Sequence, residues 1–335
     1  MNNNSHEDLS NLFIEQGGFL NKNLIIKYDN EKGFGVFCVD DIPPNSLLID
    51  VPHNLLIPVN KVDDITMFRN KFKQKYFETI ADNNEHLGYH PLLSNNFELK
   101  IINKVLKNNE NLNKDFSKKH KVFNNLSIEK KKIELLSLTR AIFIEGYNQK
   151  FFMPIMDFVN YHHEGLNYSN SKDGNVYLKS KKHIKKNQEI LINYADATDA
   201  VTFFLGHGFV DNSYNAFKIK KNELNFKLNT ISTFNEKYFS KENDIYTFKE
   251  DIIFNKNRFS LNVQQFLEIF PLNQRKEMLK KILKTYKNLI SIDVEDYNLT
   301  KDSIILKNFF KSVELYTKII DNYLELIERK WKKLN

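Results

Sequence analysis

The stretch EILINYADATDAVTFFLGHGFV, residues 189–210, decides how the chain is read. Ile190-Leu191-Ile192-Asn193 is the apolar run of a buried strand, and it stops at the phenol of Tyr194. A small polar run from Ala195 to Asp199 follows, then a short apolar helix, then Gly206-His207-Gly208-Phe209. A tyrosine at a strand end either closes the strand as a half-buried ring or is presented to a ligand. The choice between the two rests on the rest of the chain.

Upstream, short strands punctuated by turns are predicted at Leu24 to Tyr28, Gly35 to Val39 and Leu47 to Val51, with Pro43-Pro44-Asn45 between the last two. From about residue 62 to 148 the apolar spacing changes to three and four, in Phe97 to Leu106 and Ile128 to Ile144. That spacing predicts helices, separated by polar linkers such as Lys107 to Asn111. Strands are expected again at Phe151 to Pro154, Val176 to Lys179, Glu189 to Tyr194 and Ala216 to Lys220. The helical block thus reads as an insert in a β domain spanning residues 20–222. Beyond it, after a further candidate strand at Asp244 to Lys249, helical stripes run to the end; Phe309, Val313, Tyr316, Ile319, Ile320 and Leu324 form the longest. The predicted class is α+β: a fold of short strands with an inserted helical subdomain at about 62–148, then a mainly α-helical C-terminal domain over 223–335.

With 335 residues, 41% of them hydrophobic, the chain can build a sizeable core in two domains. The single Cys38 excludes an intramolecular disulfide framework and every multi-cysteine zinc site, and favours a reducing compartment, the cytoplasm or the nucleus. No run approaches the ~18 apolar residues of a membrane span, and the start MNNNSHEDLSNLFIE carries acids where a signal peptide is basic and then apolar. A net charge of +7 is modest at this length. The lysine runs at Lys130 to Lys132 and Lys179 to Lys186 read as solvated faces, with an acidic protein partner as the alternative and nucleic acid disfavoured.

Three more stretches carry chemistry-bearing residues. Lys32-Gly33-Phe34-Gly35 sets two glycines around an aromatic before a strand, either a turn that lets a ligand approach the backbone or a plain hairpin turn. Thr139-Arg140 puts a guanidinium on an apolar helical face, suited to grip a carboxylate by two parallel hydrogen bonds or to form an internal salt bridge. In Pro154-Ile155-Met156-Asp157-Phe158-Val159-Asn160-Tyr161, Asp157 and Asn160 share a face if the segment is a helical turn. His162-His163 after it lacks a third ligand at matching spacing, so no metal is expected.

In this order the four stretches resemble the SET-domain methyltransferases, in the branch that includes the plant Rubisco large-subunit methyltransferase. That branch has a GxG turn, an Arg in a "[ST]R" helix, a "PxxDxxNH" segment and a tyrosine followed by a YGF-like ending. Here they stand as Gly33-Phe34-Gly35, Thr139-Arg140, Pro154 through Tyr161, and Tyr194 through Gly208-Phe209. The branch also interrupts its SET fold with a helical insert and appends a helical substrate-binding domain, so the likeness spans nearly the whole chain.

The resemblance implies S-adenosylmethionine as cofactor, with Lys32, Gly33 and Phe34 giving backbone contacts, Arg140 facing the methionine carboxylate, and Asn160 with Tyr161 meeting the amino and adenine ends. It implies a protein-lysine N-methyltransferase, with Tyr194 as the catalytic hydroxyl that walls the channel and Asp157 and His207 beside the substrate. A non-histone protein is the expected partner, since histone-directed SET enzymes carry zinc-binding cysteine clusters. Ile142 offers no hydrogen bond to an imidazole, which favours lysine over histidine as acceptor. Tyr161 stands where the branch has His, His207 where it has a second Tyr, and Ala195 where it has Gly. These departures keep two alternatives in view, a catalytically silent SET fold that binds proteins and a protein-histidine methyltransferase.

Overall fold

A computed structural model of the chain describes residues 5–29, 33–62, 70–81, 88–144, 147–193, 199–212, 216–219, 225–227, 239–242, 245–249, 251–255, 258–259, 261–268, 270–290, 292 and 302–331. The chain divides into two compact units, residues 1–90 with 121–194 and residues 91–120 with 195–335.

The first unit contains helices α1 (Ser5–Glu15), α2 (Lys71–Ala81) and α5 (Ile128–Arg140) and three small sheets. One orders β1 (Phe19–Leu20), β4 (Leu47–Val51), β10 (Val176–Lys179) and β9 (Ser169–Asn170); another orders β5 (Ile57–Pro58), β7 (Gln149–Phe152) and β6 (Ile142–Ile144). The third, which frames the site, orders β2 (Leu24–Asp29), β3 (Gly33–Cys38), β11 (Glu189–Ile192) and β8 (Asn160–Leu166). Alternation explains the β2–β3 hairpin: Leu24, Ile26, Val36 and Cys38 turn inward to one core with Ile190 and Ile192.

The stretch 128–144, expected as one helix, ends as a helix at Arg140, and Ile142–Ile144 is a strand paired to β7. Ala141 is already extended, and an Ile-Phe-Ile run satisfies either period over so few residues. The helical insert is likewise not one body. Its helices α2 and α5 pack in the first unit, whereas α3 (Asn96–Val105) and α4 (Glu110–Asn124) belong to the second.

In the second unit the long helix α9 (Ile304–Lys330) buries Phe309, Val313, Tyr316, Ile320 and Tyr323 along one stripe. Phe204 from α6 (Ala200–His207), Phe217 from β12 (Phe217–Ile219) and Phe254 from β16 (Ile252–Asn255) pack against that stripe. Asn95 and Glu98 form a reciprocal cap on α3, and Ser303, the cap of α9, donates to Glu98 at 2.5 Å. Strands β13 (Asn225–Lys227), β14 (Phe239–Glu242), β15 (Ile245–Phe248) and β17 (Arg258–Phe259) and helices α7 (Leu261–Leu267) and α8 (Arg275–Leu289) complete the unit. The C-terminal part is helical in the stripes where the sequence predicts helix, and the expected strand at Asp244 to Lys249 stands as β15 among other short strands. Among the described residues no helix is long and apolar enough to cross a membrane.

Candidate active site

The GxG stretch is not the turn itself. Gly33 and Phe34 open β3, facing Asp29 and Tyr28 of β2, and Lys32 lies outside the described residues. Gly33 sits at φ +78, a backbone state that disfavours any side chain with a Cβ. Gly35 is needed for a different reason: a Cβ there would stand 2.9 Å from Glu189 Oε1 and 2.8 Å from the Phe37 ring. The Phe34 ring meets Phe158 edge-on at 5.5 Å and Tyr28 at 5.3 Å.

Asp157 and Asn160 do not share a face. Met156–Phe158 forms a single 3-10 turn, Val159 is extended, and Asn160 starts β8, so the two side chains enter separate networks. Asn160 Nδ2 donates to Glu189 Oε1 at 2.8 Å. Because a carboxylate only accepts, that bond fixes the orientation of the amide and leaves its oxygen as the acceptor edge.

Asp157 is buried, and its Oδ2 accepts from the Tyr76 hydroxyl and, at 3.2 Å, from the Met153 N–H. Burial pushes the carboxyl up to about 7; the Tyr76 hydrogen bond, the Arg140 charge and the Met153 N–H pull the other way. Its Oδ1 is buried and accepts no hydrogen bond among the described residues. Burial, reinforced by Asp157, raises the Tyr76 hydroxyl well above its usual range, so it stays a donor. Arg140, at the end of α5, donates from Nη1 to the Asp157 carbonyl at 2.8 Å. It thus braces the turn through the backbone, and no other described group holds the fork.

Tyr194 lies outside the described residues, but the strand that leads to it is well anchored. β11 pairs antiparallel with β3 and parallel with β8, and the Asn193 N–H reaches the Leu166 carbonyl at 2.9 Å. Leu191 aligns with Asn160 and Ile192 with Leu166, a jump along β8 made possible by Gly165, where a Cβ would lie 2.5 Å from the Ile192 backbone. Tyr161 is half-buried on β8. His207 belongs to the second unit, at the end of α6; its ring lies 4.6 Å from Phe203, and Gly208 ends the helix in the left-handed conformation. Among the described residues no group of three or more His, Cys, Asp or Glu is arranged to hold a metal ion.

The structure therefore gathers Gly33, Phe34, Arg140, Asp157, Asn160 and Tyr161 in one unit, with His207 in the other. Three contributors escape sequence reasoning: Tyr76, Glu189 and Gly165. Only Glu189 leaves a trace in the sequence, as a charged residue leading an apolar strand.

Residues 33–195 match the SET domain family model, so this part of the chain is a SET domain. Across nearly its whole length the chain is similar in fold to solved structures of LSMT. A structure of the SET domain of LSMT bound to lysine and AdoHcy aligns over 99% of this chain and 92% of its own, at 14% identity and a TM-score of 0.54. A second LSMT structure, bound to methyl-lysine and AdoHcy, aligns over 99% and 93% at 14% identity and a TM-score of 0.55. Rubisco LSMT bound to sinefungin and monomethyllysine aligns over 99% and 94% at 13% identity and a TM-score of 0.55. At this identity the likeness is one of fold. A search of the curated proteins found no significant sequence match.

Proposed function

We propose that the chain is an S-adenosylmethionine-dependent protein methyltransferase whose acceptor is a lysine side chain of a non-histone protein. The observation that carries this reading is the SET match over residues 33–195, which contains Arg140, Asp157, Asn160 and Tyr194. The bound lysine, methyl-lysine and cofactor forms of the LSMT structures support the acceptor and the cofactor. The lone Cys38, which leaves no cysteine cluster for zinc, supports a non-histone target.

The described residues fit a zwitterionic cofactor. Arg140 is a half-buried guanidinium tethered by one N–H, whose remaining donors suit a carboxylate, and Asn160 has an amide oxygen set to accept from an ammonium. Gly33 and Phe34 lie on the adjoining strand. When bound, S-adenosylmethionine supplies an electrophilic methyl group on sulfonium sulfur. The protein's contribution is to align the acceptor amine, keep it neutral by desolvation and exclude water. The Tyr194 hydroxyl orients that amine, and its ring walls the channel.

Incubating the protein with radiolabelled S-adenosylmethionine and a cell lysate should label a discrete band that yields methyl-lysine on acid hydrolysis. Methyl-histidine in its place would reject the lysine assignment, and no cofactor binding at all would leave a silent binding module. Replacing Tyr194→Phe is expected to lower methyl transfer by roughly 10²–10³-fold, the usual loss for one oriented hydrogen-bond donor.

A further inference from the structure

The turn at 153–160 concentrates unusual features on one carboxyl group. Tyr76 is enclosed in α2, and its hydroxyl reaches Asp157 Oδ2. Met153 donates its N–H to the same oxygen at 3.2 Å and accepts the Asp157 N–H at 3.0 Å. Between these two residues Ile155 holds φ +71, a strained state for a β-branched residue. The opposite oxygen, Oδ1, is buried without a hydrogen bond among the described residues, although buried polar atoms are nearly always paired.

We infer that Tyr76 is a positioning residue of the candidate site, acting through Asp157: its hydroxyl pins Oδ2, leaves Oδ1 as the acceptor offered to a ligand N–H group, and steadies the turn that Arg140 grips. The inference rests on the methyltransferase reading above for the identity of the ligand. It goes beyond that reading in assigning a role to a residue of α2, from the insert and not from the SET motifs. The titratable and charged groups around the carboxyl are Tyr76 from α2 and Arg140 from α5. The titratable residue of β3, which packs against the turn, is Cys38, and the charge beside that thiol is Asp41.

Donation by Tyr76 favours the ionised form of Asp157, against the burial that brings it to about 7. Removing the hydroxyl therefore moves the ionisation to higher pH. The test is an infrared titration of the full-length protein, in which the protonated carboxyl band of Asp157 is assigned by its loss in Asp157→Asn. The wild-type band should show the lowered frequency of a strongly hydrogen-bonded acid and disappear through a midpoint near neutrality; in Tyr76→Phe the midpoint should rise. A wild-type band at the frequency of a free acid overturns the assignment even if Tyr76→Phe fails to fold, and so does a midpoint that Tyr76→Phe leaves in place. In methyl-transfer assays the acid limb of the kcat/KM profile should move upward with the band in Tyr76→Phe. An equal loss at every pH would show a merely structural role and overturn the positioning one. Wild-type protein that binds no S-adenosylmethionine would overturn the function proposed above, and with it the ligand-facing role of Oδ1. An unmoved band would overturn the role of Tyr76 alone.

Discussion

Two aspartates, one in each compact unit, are drawn out of water, and loss of solvent raises both carboxyl groups. In the second unit Asp199 caps α6: Oδ1 accepts from the N–H groups of Val201 at 3.0 Å and Thr202 at 2.8 Å, and Oδ2 accepts from the Thr202 hydroxyl at 2.6 Å. Both of its oxygens are used, and all of its partners lie within the next turn of helix. In the first unit Asp157 collects its partners from Tyr76 and Met153 on Oδ2, and Oδ1 accepts no hydrogen bond among the described residues. A saturated carboxylate with local partners builds a helix end. One held on a single edge by a distant tyrosine, beside a guanidinium, is arranged to meet something else.

The largest effect should come from Asp157 and depend on pH. The Asp157 carboxyl goes from 3.8 in the unfolded chain to about 7 in the fold, so the folded state holds its proton over that interval and the unfolded state does not. Stability from this group is complete below pH 3.8 and is lost as pH rises to about 7, on the order of 4 kcal/mol in all. Asp157→Asn should flatten that slope in denaturant titrations run across the pH range. A slope undiminished by the substitution would show that the pH dependence does not come from Asp157.

Next in size is the frame that carries the first aspartate. Gly165→Ala forces β8 and β11 apart at a contact of 2.5 Å, and a loss of roughly 2–3 kcal/mol is expected in thermal or chemical unfolding. An unchanged midpoint would mean that the two strands separate freely. The smallest effect belongs to the saturated aspartate. Asp199→Ala should cost about 1 kcal/mol, as the loss of a helix cap does, with S-adenosylmethionine affinity unaltered in calorimetry. If that variant lost cofactor affinity instead, the use of both oxygens would no longer mark a structural role.

The sequence made some of this contrast legible. Leu24 to Tyr28 and Leu47 to Val51 are short apolar runs punctuated by turn residues, which reads as strand, and both are strands in the fold. The stripe from Phe309 to Ile320 has the period of the long helix it forms. The GxG stretch reads as a turn but lies in β3, because glycines suggest a turn whether their need is a positive φ, as at Gly33, or lack of space, as at Gly35. The spacing puts Asp157 and Asn160 on one face only if their segment is a helical turn, and a single 3-10 turn running into a strand sends them apart. Tyr76 left no local sign: it is one aromatic on an amphipathic helix, and its partner is reached only through the tertiary fold. Gly165 is similarly silent, since the backbone that excludes its Cβ comes from Ile192.

The position of β11 has a consequence for the growing chain. Glu189 and Ile190 pair with Phe37 and Val36, laid down early in synthesis, and Leu191 and Ile192 pair with β8. Until residue 193 has been made, the outer edge of β3 has no strand beside it, and Gly165 waits for the backbone it accommodates. Such an edge favours pairing with other chains, and long-range pairing is slow. A nascent chain halted before residue 189 therefore holds Arg140 and Asp157 but not the Asn160–Glu189 bond. Assembly of this site waits until more than half of the chain has been made, and cofactor capture is open only to a chain that has passed that point.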